Sequence, residues 1–197
     1  MEHAALGFRV HSGWTALVAV TLEKKSPVVL IRRKLQLVKV FSYTFRQPYH
    51  TAEKMPIADA AEFVRGVEKE SRELAVQGIR AVQQELASLD YKLSGFSLLL
   101  ASGRELPKFE KILASHALIH TADGELFRDS LRHAAARCKL PVTAIKERDL
   151  LASASKSLRL TPDVLSRRVA SLGKSLGPPW SQDEKFSALA AWFTLVQ

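Results

Sequence analysis

The sequence predicts an α/β protein: a mixed five-stranded sheet followed by a C-terminal helical extension. Three observations predict it. Short β-branched, apolar runs crowd the first quarter of the chain, and long segments of helical periodicity occupy the middle. Beyond residue 90 the two kinds of segment alternate. With 47% hydrophobic and 25% charged residues, the chain has ordinary globular composition and enough apolar surface to bury a core.

Residues 14–22, WTALVAVTL, read as a central strand, because β-branched and apolar side chains suit a position buried on both faces. EKKSP is a turn, where Pro27 would interrupt a ladder. VVLIRRKLQLVKV reads as the second strand. FSYTF reads as the third, with Phe41, Tyr43 and Phe45 on one face at period two. Short connections between the three imply an antiparallel meander. RQPYHTAEKMP, punctuated by Pro48 and Pro56, reads as a loop.

From Ile57 to Leu89 apolar residues recur at helical spacing, opposite a face of charges, with Gly66 and Gly78 as points where the helix could bend. Ser94-Gly95 breaks it, and FSLLLA is a buried strand. SGRELPKFEKIL is a turn and then a helix, with Pro107 suited to a first helical position. SHALIHTADGELFRDSLRHAAARC continues helically. Thr121 or Asp123 could cap a fresh start, so one kinked helix and two helices are both open. LPVTAIK is the last strand and ERDLLASASKSL the helix after it. Thr161-Pro162-Asp163 opens another helix ending near Gly173 or Gly177. After the GPPW corner, Ser181 and Glu184 form a capping box for the final helix.

Strand, strand, strand, helix, strand, helix, strand, helix and then two helices is an order that resembles the ribonuclease H-like fold, over about residues 8–158. The domains expected are thus 1–158 for that unit and 159–197 for the extension packed on it. The resemblance implies carboxylates clustered on the sheet around two divalent metals, with an Asp inside the first strand. Residues 14–22 hold no acid. Glu105, Glu147 and Asp149 could sit where the later ligands would. The expectation is therefore a non-catalytic binding or structural module, with no catalytic residue, metal or cofactor assigned. The alternative is a metal-dependent phosphodiester hydrolase.

Charge points to polyanions. The formal net charge is +9, and residues 1–50 carry 8 basic against 2 acidic residues, while 128–174 carry 11 against 4. Nucleic acid or another polyanion is the expected partner. Candidate anion contacts are Arg32, Arg33 and Lys34 in the second strand, and Arg167 and Arg168 near the C-terminus. The trio would equally protect a sheet edge from aggregation. Aromatic residues interleave poorly with either group, so base stacking is not indicated.

Two polar clusters stand out. His116, His120 and Glu125 could line a polar pocket with His11, or share a metal, since residues four apart lie on one helix face. The HExxH general base is missing, because Ala117, Leu118 and Ile119 intervene. In RVHSGW, Ser12-Gly13 reads as a turn, with no nucleophile elbow anywhere in the chain. SLGKS lacks the first glycine of a phosphate loop. A lone Cys138 excludes an intramolecular disulfide and multi-cysteine zinc sites. No apolar run spans a bilayer and the start lacks a secretory leader, which places the chain in the cytoplasm, away from membranes. In the last helix, Phe186, Leu189, Ala190, Phe193 and Val196 form a stripe for packing on the domain or for a homodimer interface.

Overall fold

The computed structural model describes residues 2–101 and 105–197. Its sheet has the order β3-β2-β1-β4-β5. The strands are β1 (Glu2–His11), β2 (Trp14–Glu23), β3 (Ser26–Gln36), β4 (Tyr91–Leu100) and β5 (Val142–Lys146). β1 runs antiparallel to β2 and parallel to β4, β2 is antiparallel to β3, and β4 is parallel to β5. Ser12-Gly13 closes the first hairpin, with Gly13 at φ +80°. Lys24 and Lys25 close the second, both at positive φ, as the right-handed strand twist favours. Pro27 is tolerated because β3 is an edge strand.

The predicted fold class holds, but the meander is built from different segments. Residues 14–22 form the second strand, and the first is EHAALGFRVH. Its alanines, its glycine and its polar ends gave it little strand signal. FSYTF is not the third strand. The chain leaves the sheet after Gln36, and α1 (Tyr43–Arg46) and α2 (Pro48–Ala52) follow. Phe41 and Tyr43 stay exposed instead of sharing a sheet face. Ser94-Gly95 does not end a helix either; it is a bulge within β4, where the partner of Ala4 is Leu93 and that of Ala5 is Gly95.

The helices are otherwise close to expectation. α3 (Ile57–Ser88) is one 32-residue helix whose buried stripe of Ala60, Val64, Val67, Ser71, Ala75, Ile79, Val82 and Leu86 keeps helical spacing. α4 (Phe109–Leu113) precedes α5 (His116–Arg137), a single helix in which neither Thr121 nor Asp123 starts a new one. The Thr121 hydroxyl donates back to the Ala117 carbonyl. The turn expected after β4 falls partly at 102–104, outside the described residues. α6 (Glu147–Leu158) follows β5 without a linker. α7 (Pro162–Leu172) is capped by Thr161, and α8 (Gln182–Leu195) by the Ser181–Glu184 box. Among the described residues no helix is long and apolar enough to cross a membrane.

Three layers result. On one sheet face Leu6, Phe8, Leu17, Phe96 and Leu98 pack with α3 and α5, and Phe8 stacks on Phe96 at 4.3 Å. On the other, Ala5, Val18, Val20 and Leu99 pack with α6, α7 and α8. Every residue of α8 from Ser187 to Phe193 is buried, so the apolar stripe lies against the chain's own sheet. Burial of a large side chain such as Leu189 or Phe193 contributes about 1.5–3 kcal/mol.

What lets α8 settle is a lane of small residues. A Cβ on Gly7 would lie 1.9 Å from the Ser187 carbonyl oxygen, and one on Gly95 would lie 2.5 Å from Thr194 Cγ2. Gly7→Ala should therefore lower unfolding stability by roughly 3 kcal/mol through overpacking. Gly66→Ala, in α3 with nothing within 4 Å of its added Cβ, should raise it by about 0.5–1 kcal/mol. Urea unfolding of the two variants checks both signs.

Candidate active site

Ala5, Gly7, Arg9 and His11 alternate onto the face that α8 covers. The small pair lets the helix lie on β1, and the large polar pair meets the first turn of that helix. Arg9 donates from Nε to Glu147 Oε2 at 2.9 Å and from Nη2 to Glu147 Oε1 at 2.7 Å, a two-pronged pair. Its Nη1 donates to Asp183 Oδ1. His11 Nε2 lies 2.9 Å from that same oxygen. The Phe186 ring sits 5.2 Å from the guanidinium carbon. One cation thus joins the central strand to the starts of α6 and α8, across 138 and 174 residues of sequence. Glu147 and Asp183 both stand in the first turns of their helices, where negative charge is favoured.

The electrostatics follow the geometry. Hydrogen bonding to Glu147 raises the Arg9 guanidinium above its ordinary value, against the opposing effect of burial. Partial burial pushes the Asp183 carboxyl up, but the hydrogen bonds and positive charge of His11 and Arg9 outweigh it, so the group lies below its ordinary value. Arg9, His11, Glu147 and Asp183 are all partly open to solvent.

Beside this cluster lies an aromatic and basic surface. The His11 and Trp14 rings stack at 4.3 Å across the hairpin, nearly parallel. Lys34 Nζ lies 4.3 Å from the Trp14 ring and 5.1 Å from that of Phe41, and the Arg46 guanidinium caps Phe41 at 4.5 Å. The interleaving that the sequence spacing did not indicate is produced by folding, because the segment after β3 brings Phe41 back over Lys34.

The other candidate residues have separate surroundings. Arg32 donates to the carbonyls of Gly177, at 2.8 Å, and Pro179, holding the proline corner against the edge strand. Arg33 pairs with Glu85 at 2.7 Å. Arg167 and Arg168 lie exposed on α7. His116 and His120 are neighbours on α5 and meet His50 of α2, not His11. Glu125 turns away from them to pair with Arg128 at 3.1 Å and Arg132 at 3.6 Å. Glu105 is exposed after β4, and Asp149 faces Arg148 at 3.6 Å. Sequence reasoning missed Asp183, His50 and Asp123. The acid next to a capping serine was a signal for the first; nothing local marks the other two.

A ribonuclease H-like site implies divalent metals. The residues present do not fit a metal pair, because the first strand offers Arg9 where a carboxylate would be needed. Its guanidinium already answers the charge of Glu147 and Asp183.

Comparisons with known proteins agree on the fold. No protein-family model matches the chain, and no curated protein matches it significantly. Among solved structures, Thermus thermophilus RuvC is similar at 9% identity with a TM-score of 0.53, covering 98% of this chain and 93% of that one. The T. thermophilus RuvC in complex with Holliday junction substrate is similar at 8% identity and TM-score 0.52, with the same coverage. These likenesses stand against the expectation of a non-catalytic binding or structural module. That expectation also rested on the wrong segment, since residues 14–22 are the second strand, although β1 likewise presents Arg9 and not a carboxylate to this site. The chain has the ribonuclease H-like fold, which RuvC shares.

Proposed function

We propose that the chain is a nucleic-acid phosphodiester hydrolase whose working groups are Arg9, His11, Glu147 and Asp183. The observation that carries this reading is the His11–Asp183 pair held at 2.9 Å at the end of the central strand, against a paired guanidinium. Asp183 engages Nε2 of His11, which leaves Nδ1 to accept a proton from water. The water oxygen bonds to phosphorus as the ester P–O bond breaks, and solvent supplies the proton to the leaving alkoxide. Three of the five N–H donors of Arg9 serve the carboxylates. Two remain to meet the charge that develops on the phosphate oxygens.

Trp14, Lys34, Phe41 and Arg46 supply the binding surface. Their stacked rings and cations suit unpaired bases beside a phosphate backbone, and each stacked base contributes about 1–3 kcal/mol. The neighbour bound to a Holliday junction makes branched DNA the first substrate to test.

Labelled four-way junction, duplex, single-stranded DNA and RNA–DNA hybrid should be incubated with the full chain in EDTA, Mg²⁺ and Mn²⁺. Cleavage in EDTA that falls at least ~10²-fold in His11→Asn is expected. Cleavage only with a divalent metal would overturn the role given to Arg9, and none under any condition would overturn the hydrolase. Trp14→Ala and Lys34→Ala should weaken junction binding, and binding should fall steeply with salt. Stability should report the same ion pairs. Because folding holds Asp183 below its ordinary value of 3.8, its contribution is present above that pH and is lost as pH falls through the depressed value. Asp183→Asn should therefore cost stability at pH 7, and the cost should shrink progressively as pH falls below 3.8, as urea midpoints would show.

A further inference from the structure

Three of the six histidines in the sequence meet at one point, although two come from α5 and one from α2. His116 and His120, one turn apart, bring their Nε2 atoms to 3.0 Å. His50 stands across from them, its ring centre 5.3 Å from that of His116 and 4.4 Å from that of His120. One ligand nitrogen from each lies within 4.8 Å of the other two. Bound zinc takes nitrogens at about 2.0–2.1 Å, which places tetrahedral neighbours about 3.3 Å apart. The spacing here needs only small rotations of two exposed rings.

A second observation fixes the third ligand. The His50 side chain is 8% exposed, and its Nδ1 lies 2.5 Å from Asp123 Oδ2. The other oxygen of Asp123 accepts the Tyr49 backbone N–H at 2.7 Å. Asp123 is almost fully buried on α5, three residues beyond His120. Burial drives its carboxyl upward, and the His50 and Tyr49 hydrogen bonds pull against that. A carboxylate that takes the Nδ1 proton of a histidine turns the Nε2 lone pair outward, which is how ligating imidazoles are commonly oriented. Asp123 therefore does for His50 what hydrogen-bonding the helix alone would not require.

We propose that His50, His116 and His120 form a binding site for a divalent transition metal, Zn²⁺ foremost, with Asp123 orienting His50. Neutral imidazoles select zinc and its neighbours over Mg²⁺ or Ca²⁺. The exposed rings of His116 and His120 leave the fourth position facing solvent, so water completes the shell. Bound metal ties α2 to the first turns of α5. None of these residues belongs to the Arg9 cluster, so the two sites stand or fall separately.

Zn²⁺ titration of the full chain, followed by calorimetry and by the thermal unfolding midpoint, tests the site. One equivalent should bind saturably and raise the midpoint, and Co²⁺ in its place should give the strong visible bands of tetrahedral coordination. The exposed double variant His116→Ala/His120→Ala should retain the fold by circular dichroism and lose at least ~100-fold in affinity. Asp123→Asn should lose ~10–100-fold. Absence of saturable binding, or equal binding by the folded double variant, would overturn the proposal.

Discussion

Everything on the α8 side of the sheet depends on one close approach, the backbone of α8 against the bare backbone of β1 at Gly7. A helix packed on a sheet normally rides on the side chains between them. Here Ala5, Gly7 and Gly95 remove those side chains along one lane, and the Ser187 carbonyl descends to where a Cβ would be. From Ser187 to Phe193 the helix is buried on every side, enclosed by the sheet on one side and by α6 and α7 on the other. Its start is thereby fixed at the level of Arg9. Without that depth, Asp183 would not reach the guanidinium.

The Arg9 cluster is a solution to a charge problem posed by the fold. Two helices begin near the end of the same strand, each with an acid in its first turn. A cation is needed between them, and this chain supplies it covalently from the strand itself. The charge arrangement belongs to these residues and not to the fold class, since one scaffold hosts many sites. What such a cluster keeps is a histidine held by a carboxylate, beside a surface of rings and basic side chains.

The fold class was legible because element order survives errors in element assignment. Four of the five strands, a long amphipathic helix and three late helices could be read from periodicity and capping signals, and the Ser181–Glu184 box was found in place. The first strand was hidden for the same reason that it matters. Ala4, Ala5 and Gly7 are poor strand formers in isolation, and they sit where small size, not β propensity, is selected by α8. FSYTF shows the converse, an alternating pattern with no sheet neighbour to receive it. The sites were less legible still. His11 and Asp183 are 172 residues apart, and His50 and Asp123 are 73 apart. Only the His116–His120 pair lies within reach of a local periodicity argument. Arg32 looked like an anion contact, yet three-dimensional structure directs it to carbonyls of the proline corner.

The joining of β1 to α8 has a consequence for biosynthesis. The strand leaves the ribosome some 170 residues before its covering helix, so one face of the nascent sheet must wait without its lid. Val18, Val20 and Leu99, which that helix buries, are meanwhile open to chaperones and to other unfinished chains. Long-range closure of this kind slows folding. It also makes the Arg9 cluster a marker of completion, assembled only in molecules whose final layer has docked.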